Sequence, residues 1–126
     1  METFRTESTP KTPSIIFDPA KGKLEIKGRS IPEDSIGFYK KLLDLLEEYS
    51  QTCTIPVQVD VMLEYFNTAS SVCVLEILKR FEALHQRGIQ VVINWHYEED
   101  DDYMRETGDD FQTLLTVPVH LKEIEL

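Results

Sequence analysis

Val57-Gln-Val-Asp-Val-Met-Leu63 is followed by Glu64-Tyr-Phe-Asn-Thr-Ala-Ser-Ser71, a run from Val72 to Arg87, and Gly88-Ile-Gln-Val-Val-Ile-Asn-Trp95. This stretch decides the fold. In its first segment Val57, Val59, Val61 and Leu63 alternate with Gln58, Asp60, Met62 and Glu64, the period of a pleated strand. Val74, Ile77, Leu78, Phe81 and Leu84 then recur at helical spacing, with Glu76, Lys79, Arg80 and Gln86 on the polar face. The last segment is almost continuously apolar, the pattern of a parallel strand covered on both faces. Strand, helix and strand together predict a right-handed crossover unit. Its helix begins on a turn crowded with hydroxyl and amide side chains, Asn67, Thr68, Ser70 and Ser71, at the carboxyl end of a strand.

Working outward, Ser14-Ile-Ile-Phe-Asp18 and Lys23-Leu-Glu-Ile-Lys27 read as strands joined through Pro19-Ala-Lys-Gly22, with Gly22 at a positive φ. Gly28-Arg-Ser-Ile31 reads as a loop and Pro32-Glu-Asp-Ser35 as a helix start, its acidic residues complementing the helix dipole. That helix turns Phe38, Leu42, Leu45, Leu46 and Tyr49 toward a sheet, and Gln51 to Pro56 connects it to the central strand. Beyond Trp95, Tyr97-Glu-Glu-Asp-Asp-Asp102 leads into a third helix with Tyr103, Thr107, Phe111, Leu114 and Leu115 inward. Pro118-Val-His-Leu121 is a last strand, and Lys122 to Leu126 its tail or continuation. Residues 1–12 are polar and read as a flexible tail ahead of a single domain over 13–126. The expected order is ββαβαβαβ, an α/β mixed sheet with three helices, whose sites belong at the strands' carboxyl ends.

A chain of 126 residues, 41% of them hydrophobic, buries about two thirds of its unfolded surface without a disulfide or metal. Its 23 acidic against 13 basic side chains leave a net charge of −10, which argues against nucleic acid and anionic membranes as partners. The start Met1-Glu-Thr-Phe-Arg5 is unlike a signal peptide, and no apolar run approaches membrane-spanning length. With Cys53 and Cys73 the only cysteines, a cytoplasmic protein with reduced thiols is expected.

Several chemistries fall away. None of the five glycines builds a phosphate-cradling loop ahead of a helix, which removes nucleotide-loop and hydride-transfer folds. A receiver domain needs carboxylates converging from several strand ends, whereas Glu98 to Asp102 lie on one loop. That loop lacks the alternating ligands and central glycine of a calcium site. His85, His96 and His120 have no zinc-like spacing, and Cys73 sits inside a helical pattern. An alternative class, a small divalent-metal enzyme, would draw on Glu64, His96 and the Glu98 to Asp102 loop; a third is an anion-sensing module built on the helix-start turn. The cluster Asn67 to Ser71 accommodates two explanations, helix capping and phosphorylation. A phosphoryl group on any of the three hydroxyls would meet free amides and the positive end of the helix dipole.

At these residues the sequence resembles the anti-sigma-factor antagonists of STAS type, and more closely the SiaC family of bacterial regulatory phosphoproteins. The likeness is carried by Gly28-Arg-Ser-Ile-Pro-Glu33, Leu63-Glu-Tyr-Phe-Asn-Thr-Ala-Ser-Ser71 and Asn94-Trp-His-Tyr-Glu-Glu-Asp-Asp102, and extends from about Thr12 to Pro118. It implies a STAS-like sheet and a partner switch without catalytic residues, cofactor or metal. On the family pattern Thr68 is the acceptor for a cognate Ser/Thr kinase resembling the anti-sigma-factor kinases, and a PP2C-type phosphatase removes the group. The unphosphorylated form is expected to bind and activate a diguanylate cyclase, raising cyclic di-GMP and promoting biofilm. Tyr65, Phe66, Asn67, Ala69, Ser70 and Ser71 are then the expected partner contacts.

Overall fold

The computed structural model describes residues 1–124; Glu125 and Leu126, part of the expected last-strand continuation, lie outside the described residues. The elements are β1 (Phe4–Thr6), β2 (Ser14–Asp18), β3 (Lys23–Ser30), α1 (Ser35–Thr52), β4 (Val57–Phe66), α2 (Thr68–Gln86), β5 (Val91–Glu98), α3 (Asp102–Leu114) and β6 (Val119–Ile124). The six strands form one sheet in chain order. The first three pair antiparallel and the rest parallel, which gives the mixed α/β sheet that the alternation of patterns predicts.

The order is βββαβαβαβ, one strand more than expected. Part of the stretch read as a flexible tail is edge strand β1, with Phe4 opposite Phe17 and Thr6 opposite Ile15. Thr6 Oγ1 donates to Pro13 O and accepts from Ile15 N, both at 3.0 Å, and Ile31 N donates to Lys11 O at 2.8 Å. A strand of three residues has no periodicity to betray it; its backbone bonds come from β2, further along the chain.

The expected cover on both faces of β5 is also corrected. Each parallel strand lies beside its predecessor, and crossovers of one hand that always step the same way put every helix on one side. Ile15, Leu24, Val59, Val61, Ile93 and Trp95 accordingly bury against Tyr39, Leu42, Ile77, Phe81, Met104 and Phe111 in a single core. The other face carries Glu25, Asp60, Met62, Val92, Asn94 and His96, half-buried by their neighbours in the sheet alone. The two-layer architecture leaves one polar, helix-free surface.

Several boundaries move for local reasons. α1 starts at Ser35, not at Pro32, because the Asp34 carboxylate caps it by accepting from Gly37 N. Residues 28–30, expected in a loop, complete β3, where Gly28 at φ +118° sits at a register shift. Gly28 pairs with Leu63 and Arg29 with Tyr65, so Glu64 is left without a partner, the mark of a β-bulge. In α3 the inward residues are Met104, Gly108 and Phe111; of the expected face Phe111 and Leu115 are buried, while Tyr103 and Leu114 are exposed. Asp101 caps this helix, and the Trp95 indole Nε1 donates to Met104 O at 2.9 Å. A Cβ at Gly108 would stand 2.6 Å from the Trp95 ring, so only glycine lets the helix approach so closely.

Candidate functional site

The motif residues meet where β3 and β4 end and α1 and α2 begin. β4 runs through Phe66 and α2 begins at Thr68, so the turn expected over eight residues is the single residue Asn67. Asn67 Oδ1 accepts from Ser70 N at 2.8 Å and Asn67 O from Ser71 N at 3.0 Å, the bonds of a helix N-cap. On the β3 side, Asn67 N donates to Ser30 O at 3.1 Å.

The five polar or aromatic neighbours then part company. Thr68 and Ala69 are exposed and Ser71 is half-buried, with Ser71 Oγ donating back to Thr68 O at 2.8 Å. Ser70 is fully buried. That removes it from the surface hydroxyls of the turn. Phe66 is likewise buried, at 3% exposure, edge-on to Trp95 and 5.5 Å from the Tyr103 ring, whereas Tyr65 is 53% exposed. The bulge at Glu64 explains the split: strict alternation from Leu63 would have turned Tyr65 inward. Of the expected contacts, Tyr65, Thr68, Ala69 and Ser71 reach the surface; Phe66 and Ser70 support it from within.

Two residues not expected here complete the surface. Val72, in the first turns of α2, is 57% exposed, and Tyr103, at the start of α3, is 56% exposed. A depression of about 400 Å³ is lined by Tyr65, Phe66, Asn67, Thr68 and Tyr103. The signal for both was present: Val72 lies on the polar side of the helical pattern, and the N-cap Asp101 rotates Tyr103 outward.

Beneath the surface lies a cluster that no sequence pattern announces. Tyr39 Oη lies 2.6 Å from Ser30 Oγ, which donates to Ser70 Oγ at 2.9 Å. Ser70 Oγ lies 3.1 Å from Ser35 Oγ, which donates to Asn67 Oδ1 at 3.5 Å. Burial pushes the Tyr39 phenol up to about 12, with the Ser30 bond partly offsetting it, so the phenol stays a neutral donor.

The alternative metal-enzyme residues do not assemble. His96 Nε2 is 2.9 Å from Asp60 Oδ1 on the helix-free face, Asp101 caps α3, and Glu64 occupies the bulge. Among the described residues no group of three or more His, Cys, Asp or Glu is placed to hold a metal. Cys53 and Cys73 are free and buried; burial, then the charges of Glu76 and Asp34, push the Cys73 thiol up. None of the helices among the described residues is long and apolar enough to cross a membrane.

The capped, hydroxyl-bearing helix start thus lies at the carboxyl edge of a one-sided α/β sheet. Residues 6–124 match the family described as SiaC family regulatory phosphoprotein. The chain belongs to that family. SiaC of Pseudomonas aeruginosa is 28% identical and superposes with a TM-score of 0.89, covering 98% of this chain and 100% of that one. The complex of diguanylate cyclase SiaD with its activator SiaC, from the same organism, matches with a TM-score of 0.88 and 28% identity over 96% of this chain and 99% of that one. An uncharacterized protein of P. aeruginosa strain UCBPP-PA14 is 30% identical over 118 residues, 94% of each chain.

Proposed function

We propose that this chain is a phosphorylation-controlled partner switch whose unphosphorylated form docks on and activates a diguanylate cyclase. The observation that carries the proposal is the exposure of Thr68 at the first position of α2, beside exposed Tyr65, Val72 and Tyr103. An apolar, aromatic surface of this kind suits protein docking. A kinase transferring a phosphoryl group to Thr68 Oγ would place about −1.5 to −2 charges at its centre. The unpaired first-turn amides and the helix dipole stabilise that group in the free domain. In a docked complex the same charge must be desolvated without a partner, so phosphorylation selects the free form. Hydrolysis of the phosphoester by a PP2C-type phosphatase restores the hydroxyl and the docking surface. The solved relative in complex with SiaD is named as an activator of that cyclase, which supports the choice of partner.

The test is binding to, and activation of, a diguanylate cyclase from the same cells. Thr68→Ala is expected to bind like the parent and to resist the kinase. Thr68→Glu is expected to bind at least about tenfold more weakly, the effect of an uncompensated interfacial charge. If Thr68→Glu binds like the parent, or mass spectrometry finds the phosphoryl group elsewhere, the switch is not at Thr68.

A further inference from the structure

We propose that the buried hydroxyl chain from Tyr39 to Asn67 is a positioning device that holds the Thr68 turn in one conformation, with Tyr39, Ser30, Ser35 and Ser70 as positioning residues. Tyr39 and Ser30 are fully buried and Ser35 nearly so. Hydroxyls so deeply buried destabilise a fold unless each finds a partner. Capping α2 needs only the bond from Ser70 N to Asn67 Oδ1. Four further hydroxyls converge on it, one on β3, two on α1 and one on α2.

The bonds run in one direction. Ser30 Oγ donates to Ser70 Oγ, which leaves Ser30 to accept from Tyr39 Oη. Ser35 Oγ donates to Asn67 Oδ1, which leaves it to accept from Ser70 Oγ. Each hydroxyl thus donates once, and the chain ends on an amide oxygen that has no proton to pass on. Successive bonds of this kind polarise one another. Asn67 Oδ1, held by Ser35 as well as by Ser70 N, is fixed relative to the first turn of α1 as well as that of α2. Thr68 is the next residue. Recognition of its hydroxyl then depends on Tyr39, which never reaches the surface; that consequence rests on the phosphorylation of Thr68 proposed above.

The experiment compares backbone-amide hydrogen exchange at Ser70 and Ser71 in the parent, Ser30→Ala, and Ser30→Ala/Tyr39→Phe. The double variant leaves no orphaned phenol, so its unfolding midpoint is expected to recover toward the parent. Ser70 and Ser71 are nevertheless expected to exchange about tenfold faster than in the parent, while the amides of α2 beyond Val74 keep parental rates. With the cognate kinase, kcat/KM for Thr68 falls several-fold in the same variant. A merely structural role would be rescued together with the midpoint. Parental exchange at Ser70 and Ser71 in the double variant, or acceleration only in step with the whole domain, overturns the proposal. Should the double variant not fold, Tyr39→Phe, which removes only the first donor, is read in the same way. If Ser70 and Ser71 loosen but the kinase leaves parental Thr68 unmodified, the positioning role stands and the phosphorylation of Thr68 falls.

Discussion

Two polar clusters sit on opposite faces of this sheet. On the helix-covered face Tyr39, Ser30, Ser70 and Ser35 are buried and uncharged, and satisfy one another. On the open face the Asp60 carboxylate accepts from His96 and Asn94 at Oδ1 and from Gln58 at Oδ2, at 2.9 to 3.1 Å, with about a quarter of its side chain still exposed. Burial pushes the Asp60 carboxyl up, but the bonds from His96, Gln58 and Asn94 outweigh it and hold it below its ordinary value. Neutral hydroxyls can be fully desolvated when they form a closed chain; a carboxylate keeps one side in water because the cost of burying its charge is far larger. The fold therefore puts the polar contacts that are costly to break singly beneath the helix starts, and the half-solvated ones on the open face.

Substitutions break this contrast in a definite order. Ser30→Ala, which orphans the Tyr39 phenol in the core, is expected to cost about 2 kcal/mol in a denaturant titration. Asn67→Ala removes the cap of α2 and is expected to cost about 1 kcal/mol, with lost helicity confined to the first turn of α2. Asp60→Asn is expected to cost less than about 1 kcal/mol at neutral pH, because its partners remain half in water. Its signature is in the acid limb. With the folded-state value lowered, Asp60 contributes its full stabilisation above the ordinary Asp value of 3.8 and loses it as pH falls through the lowered folded value. The variant's stability should therefore fall less steeply below that pH than the parent's. A larger loss from Asp60→Asn than from Ser30→Ala at neutral pH would reverse the contrast.

Where the sequence went astray, the competing physics can be named residue by residue. Phe38 packs half-buried against the core as expected, but its neighbour Tyr39 is the fully buried one, since Ser30 satisfies its hydroxyl. In α3 the expected Phe111 and Leu115 are inward, but the first turns present Met104 and Gly108 in place of Tyr103 and Thr107, because Gly108 has no hydropathy to reveal that it packs against Trp95. The bulge at Glu64 is invisible in a pattern of alternation, yet it decides that Tyr65 faces outward and Phe66 inward. By contrast, a polar helix start within Asn67 to Ser71 at a strand's carboxyl end is legible in the sequence, since capping is a local bond between residues three apart, though not that Asn67 alone is the cap.

The sequence by itself determined the kinds of elements, most of their order, the α/β class and the hydroxyl-rich turn, since periodicity and capping act over a few residues. It also carried the resemblance to the SiaC family, to which the chain belongs. Only the tertiary structure decided which hydroxyls of that turn are exposed. Thr68 and Ser70 are equivalent in any local pattern, but Ser70 Oγ is drawn inward by Ser30, 40 residues earlier in the chain, and by Ser35 on a different helix. Bonds across such separations exist only once strand pairing and helix packing have brought the partners together, so exposure of Thr68 is a property of the assembled fold.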